Sequence, residues 1–177
     1  MIYRLMFLVM LMFSILSCQD PRSEREKTRD RILAKFARKM ESKGFRMVGS
    51  GGGINHEVKK INLISATFKY NGIMMEIESA RCLIVESGHI LLDLINSDVK
   101  NGQFFDLFPA PSNILEIGII GKYPEDKKTE YIEVVSLLND SVYYLTDTIR
   151  PKKGPYTTVH EESFQKAQAI VNKEGCS

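Results

Sequence analysis

The chain contains no Trp, and only three Cys, three His and six Pro among its 177 residues. Three Cys cannot staple a disulfide-dense scaffold. His56, His89 and His160 lie too far apart in sequence to supply paired ligands at metal-binding spacing. No metal or cofactor is therefore expected. Charge of one sign is lacking as well: 24 Lys and Arg face 22 Asp and Glu, a formal net charge of +2. Without a dense basic face, nucleic acid is not an expected partner. No apolar run reaches the ~20 residues of a membrane-spanning helix. The 12 Gly and six Pro form no low-complexity tract, and 44% of residues are hydrophobic. A single packed domain fits this composition and length, since two cores would each fall below the usual ~100–150 residues. A monomer is expected.

What is present begins at the N-terminus. One cation, Arg4, precedes an apolar run from Leu5 to Leu16 broken only by Ser14, and the chain turns polar at Gln19. This run is too short to span a bilayer and has the form of an export signal. Its end, Ile15-Leu16-Ser17-Cys18, resembles the bacterial lipobox. That resemblance implies cleavage before Cys18, diacylglycerol on its thiol and often an acyl group on the new amine. Removing the first 17 of 177 residues takes one cation and no anion, leaving 160 residues of net charge +1. More than one acyl chain gives stable anchoring. The expected location is the bacterial cell envelope, lipid-anchored through Cys18 and facing the periplasm or the cell surface. Gln19 stands where the enteric inner-membrane retention signal has Asp, so the choice of membrane stays open.

Residues 18–31 read as a charged tether and residues 32–177 as one α+β domain. Ile32, Leu33, Phe36, Ala37 and Met40 mark an amphipathic helix whose start can reach back to Ser23, with Gly44 as its stop. Gly49-Ser50-Gly51-Gly52-Gly53 reads as a flexible connector. It lacks the following helix and Lys-Ser/Thr pair of a phosphate loop, and its spacing fits neither G-x-G-x-x-G nor G-x-S-x-G. Alternation predicts a strand over 61–70, and Asn71-Gly72 predicts a turn. Residues 73–77 then either return as a hairpin strand or cross into a second helix, marked by Ala80, Leu83, Ile84, Leu91, Leu94 and Ile95. Phe104, Phe105 and Phe108 lie in an aromatic loop that either lids the core or rims a partner surface. Strands over 115–120, 131–138 and 142–148 form an antiparallel meander, residues 150–155 break it, and a short helix carries Phe164 to Val171. The order is α-β-α-β-β-β-α, an antiparallel sheet of about four strands with helices on one face.

Catalytic residues are harder to assemble. His56-Glu57 and His160-Glu161-Glu162 read as surface polar groups. His89 can meet Asp93 at i, i+4. Ser50 and Cys82 are nominal nucleophiles, but Cys82 is two helical turns from His89, roughly 10 Å by helical rise. Catalytic residues are accordingly assigned to none. Cys82 and Cys176, left over once Cys18 is acylated, form a candidate disulfide that would contribute about 4 kcal/mol by loop closure. Arg81 either pairs with Glu78 or, if buried under the Phe104–Phe108 loop, clamps an anion.

The stretch Phe68-Lys-Tyr, Ile77-Glu-Ser-Ala-Arg81-Cys-Leu-Ile-Val85, Leu94-Ile-Asn96 and Phe108-Pro109 with Asn113 and Glu116 is similar to a family of uncharacterised lipoproteins from chlamydia-like bacteria. The resemblance spans about residues 60–120 and implies the element order without implying an activity. The expected function is a non-catalytic interaction module with an envelope protein partner. Ser50, Arg81, Phe104, Phe105 and Phe108 are the candidate ligand or partner surface. Binding of a small ligand or anion is the alternative, and a Ser or Cys hydrolase a third reading.

Overall fold

The computed structural model describes residues 22–73, 76–122, 131–146 and 156–176. The signal segment, Cys18, the 125–128 turn and the 150–155 break lie outside them. The elements are α1 (Glu24–Glu41), β1 (Phe45–Asn55), β2 (Lys60–Ile73), α2 (Ile77–Asn96), β3 (Leu115–Lys122), β4 (Val134–Leu138), β5 (Ser141–Thr146), β6 (Thr157–Ser163) and α3 (Phe164–Glu174). They form one six-stranded sheet in the order β1-β2-β3-β4-β5-β6, with helices packed on one face. Only β2 and β3 run parallel, joined by the α2 crossover; every other neighbouring pair is antiparallel.

The α+β class agrees with expectation, but the order is α-β-β-α-β-β-β-β-α and the sheet has six strands, not about four. The first helix takes its earlier possible start, and two local misreadings account for the extra strands. Helix α1 starts eight residues before Ile32, because Ser23 caps it: its hydroxyl accepts from Glu26 N at 3.4 Å while its own N–H donates to Glu26 Oε2 at 2.7 Å. This reciprocal pairing satisfies two donors that the helix start would leave free. Residues 24–31 are therefore helix and not tether.

The glycine run is the first misreading, since Gly49–Gly53 lies within β1 and pairs with Thr67–Leu63 of β2. Close packing explains one of its glycines directly. A Cβ on Gly52 would sit 2.6 Å from Leu63 O and 2.9 Å from Arg29 Cδ, so α1 approaches β1 there only over a bare backbone. Asn71-Gly72 makes no hairpin turn; β2 runs through it until Ile73 pairs with Lys122. Of the two continuations, the crossing into α2 is the observed one. The second misreading is β6, a polar strand whose Thr157 to Ser163 carry too little alternation of apolar residues to be recognised.

Alternation along the strands decides which side is buried. Ile64, Ala66, Phe68, Leu115, Ile117, Ile119, Val135, Leu137, Val142 and Tyr144 point into the core with Phe36 and Met40 of α1, Ile84 and Leu91 of α2 and Phe164 of α3. Gly88 is needed for this packing: a Cβ there would meet the Phe164 ring at 2.6 Å. Helices α1, α2 and α3 lie side by side over β1 to β2, the middle strands and β5 to β6.

The topology also sorts the connections between two ends of the sheet. The start of α1, the β1–β2 turn, the segment between α2 and β3 and the β4–β5 turn share one end. Arg25 of α1 donates to Lys59 O in the β1–β2 turn, Asp106 N to Ile61 O at the start of β2, and Ser112 Oγ bonds Asp140 between β4 and β5. Gly44, the start of α2 and Cys176 lie toward the other.

Candidate functional site

The most constrained polar cluster joins α2, β5 and β6. Arg81 lies on the core side of α2, one turn in from its start, and Tyr144 and Glu162 point toward it from the covered face of the sheet. Arg81 Nε donates to Glu162 Oε1 at 2.7 Å and Tyr144 OH donates to the same oxygen at 2.6 Å. The Arg81 guanidinium stands 6.0 Å from the centre of the Tyr144 ring, within cation–π range. His160 flanks the group, its ring 5.3 Å from that of Tyr144 and its Nε2 3.7 Å from Glu162 Oε2. That second oxygen is buried and has no hydrogen-bond partner among the described residues.

The electrostatics follow from burial set against pairing. Burial pushes the Glu162 carboxyl up, but bonds from Tyr144 and Arg81 outweigh it, and the carboxyl is held below its ordinary value. Burial and the carboxylate beside it push the Tyr144 phenol far up, so it remains a donor. Burial works against the Arg81 charge and the bond to Glu162 prevails, raising it. The result is an ionised Glu162 held by one cation and one phenol and closed to solvent. Such an arrangement ties α2, β5 and β6 together.

Several expectations are corrected here. Arg81 pairs with Glu162 rather than with exposed Glu78, and it is covered by α3 rather than by the Phe104–Phe108 loop. The small crevice of about 30 Å³ beside it is lined by Glu78 and Glu174, a poor setting for an anion. Glu162, read as a surface group within His160-Glu161-Glu162, is buried; only its neighbour Glu161 is exposed. Cys82 and Cys176 are bonded as a disulfide, with Cα atoms 5.8 Å apart, which fastens the end of α3 beside Arg81 and leaves no thiol for catalysis. His89 reaches Gln168 of α3, ring nitrogen to amide nitrogen at 2.7 Å. Ser50 is on β1 at the opposite edge of the sheet. The hydrolytic set of Ser50 or Cys82 with His89 is thus not brought together.

The aromatic loop divides. Phe105 is buried and pairs through the backbone with Ile61, Phe104 is half-buried, and Phe108 is exposed with its ring against Gly102. Asn96 fixes the loop by donating to Ala110 O at 3.2 Å and accepting from Ala110 N at 2.7 Å. Among the described residues no group of three or more His, Cys, Asp or Glu is placed to hold a metal, and no helix is long and apolar enough to cross a membrane.

The surface that sequence reasoning missed is the face of the sheet that no helix among the described residues covers. Thr67, Gly118, Ser136, Tyr143 and Glu161 form one row across β2 to β6. Ile120, Val134 and Leu145 form the next row on the same side. Small residues at the centre, Ser65, Thr67, Gly118 and Ser136, leave a shallow hollow of about 250 Å³ with Glu116 and Leu138 at its margin. Period-two alternation in β3 to β5 carried this signal, but which set faces away from the helices needs the sheet order. Comparison with family models, characterised proteins and solved structures found no match to this sequence or fold.

Proposed function

We propose that this protein is a lipid-anchored envelope protein whose α+β domain is a non-catalytic interaction module. The observation that carries the reading is the one-sided sheet: helices cover one face, while the other offers Ile120, Val134, Tyr143 and Leu145 around a hollow of small side chains. A partner protein laying an apolar ridge into that hollow would bury area without displacing any element. The disulfide adds support for an exported protein, because such bonds persist in oxidising compartments. The lipobox resemblance at Cys18 supports the anchor.

Two measurements test it. Cys18→Ala is expected to accumulate unprocessed precursor and to lose labelling by a clickable fatty acid; normal processing would remove the anchor. A photo-crosslinking residue at Ser136 is expected to trap a discrete envelope protein, and the adduct should vanish when Thr67→Arg fills the hollow. The same probe at exposed Lys39 of α1 should trap nothing specific. Equal trapping from Ser136 and Lys39, or adducts indifferent to Thr67→Arg, would refute the sheet-face reading.

A further inference from the structure

We infer that the domain rests on the lipid bilayer by one defined end, with Leu107, Phe108, Val99 and Val58 touching the membrane. The inference builds on the reading of Cys18 as the acylated residue. Three residues separate Cys18 from Arg22 and five separate it from Glu24, so whatever path they take, a reach of at most ~3.6 Å per residue keeps the anchor within ~15 Å of Arg22 and ~22 Å of the start of α1. That start lies at the end of the sheet that holds the β1–β2 turn and the α2–β3 segment. An anchor this short, followed directly by a capped helix, sets that end against the bilayer.

This end also has the apolar surface such a contact needs. Val99 is 80% exposed, Leu107 60%, Val58 51% and Phe108 36%. Leu107 and Phe108 lie in a well-bonded loop. Phe105 is sunk in the core, Asp106 N donates to Ile61 O at 3.1 Å, Asn55 Nδ2 reaches Asp106 Oδ2 at 3.4 Å and Asn96 clasps Ala110. Leu107 and Phe108 therefore project from a fixed support, with Val58 across the Asn55–Asp106 link. Of the other exposed apolar residues, Val48 and Val159 sit on the two edge strands and Tyr156 just before β6, away from this end, while Leu138 closes β4 at the same end. Charges around the tips are mixed, with Lys59 and Lys100 beside Glu57 and Asp98. Contact should accordingly depend on apolar insertion of ~5–10 Å into the headgroup and acyl boundary more than on anionic lipid.

The absence of Trp makes the test direct, because one introduced Trp is the only indole in the chain. Full-chain protein, processed and lipidated in cells, is purified and reconstituted into vesicles of phosphatidylethanolamine, phosphatidylglycerol and dibrominated phosphatidylcholine. Leu107→Trp should show blue-shifted emission and a loss of intensity to the brominated lipid; Val99→Trp should do the same if the first variant fails to fold. Val48→Trp, seven strand residues or ~23 Å from the β1 end, should show neither. The loss should persist when phosphatidylglycerol is replaced by phosphatidylcholine. Absence of quenching at both tips in protein that floats with vesicles and carries the diacylglyceryl mass would overturn the orientation and leave the lipoprotein reading standing. Quenching that requires phosphatidylglycerol would overturn apolar docking. Protein that lacks the acyl mass and does not float would overturn both.

Discussion

Replacing Arg81 with Met tests the central polar cluster, because it removes a charge while keeping much of the side-chain volume. In the native protein the Glu162 side chain is 0% exposed and the Arg81 side chain 10%. Arg81→Met leaves an ionised, fully enclosed Glu162 with Tyr144 as its remaining hydrogen-bond donor and His160 Nε2 3.7 Å from its other oxygen, and breaking a buried pair this way costs ~3–5 kcal/mol. At ~2–4 °C per kcal/mol for a chain of this size, the midpoint should fall by roughly 10 °C. Glu162→Gln should cost less, ~1.5–3 kcal/mol, the range for hydrogen bonds to a charged group. The asymmetry arises because Arg81 keeps a route to water and to Glu78 and Glu174 along the crevice beside it. The double variant should be more stable than Arg81→Met alone, since no unpaired carboxylate remains.

Acid should separate these species further. In the native protein the Glu162 carboxyl is depressed, so its contribution is complete above the ordinary value of ~4.3 and is lost as pH falls through its lower folded value. In Arg81→Met, burial dominates and the carboxyl is raised. Protonation then relieves the variant first, and the gap to the native protein should narrow between about pH 7 and pH 5. Urea unfolding with the disulfide intact at both pH values measures this. A loss below ~1 kcal/mol, the scale of an exposed pair, would refute the reasoning. So would Glu162→Gln proving the more damaging variant, or a gap that widens in acid.

Two further outcomes follow from packing and chain connectivity. Gly88→Ala drives a methyl to 2.6 Å from the Phe164 ring and should cost ~1–3 kcal/mol, whereas Gly51→Ala meets nothing within 4 Å and should gain ~0.5–1 kcal/mol; effects of the same sign in denaturant titrations would contradict the packing of α3 on α2. Cys176→Ser opens a bridge between residues 94 apart and should lower stability by ~2–4 kcal/mol. Native protein treated with dithiothreitol should unfold at the same urea midpoint as that variant, and no response to reductant would count against the bond.

The helices were legible in the sequence because their signals are local. The apolar spacing from Ile32 to Met40 and from Ala80 to Ile95 marks faces that the folded chain does bury. The alternation of β3 and β5 likewise needs no partner to be read. β1 was not legible, because glycine disfavours a strand and the run is held in one by pairing with β2 on one side and by the approach of Arg29 above Gly52. Asn71-Gly72 favours a turn locally, yet pairing of Ile73 with Lys122 carries β2 through it. Glu162 gave no warning at all, since its partners Arg81 and Tyr144 are 81 and 18 residues away.

Composition and local pattern alone determined the α+β class, a single core and the resemblance of Cys18 and its neighbours to an acylation signal. These depend on side-chain period and short spacings, which a linear chain states outright. The tertiary structure decided the rest: six strands in place of about four, a carboxylate buried between an arginine and a tyrosine, and a sheet with one face that no helix among the described residues covers. It also decided which end of the domain the start of α1 shares with the β1–β2 turn. Each of these depends on residues far apart in sequence meeting across the sheet, where desolvation and close approach outweigh local preference.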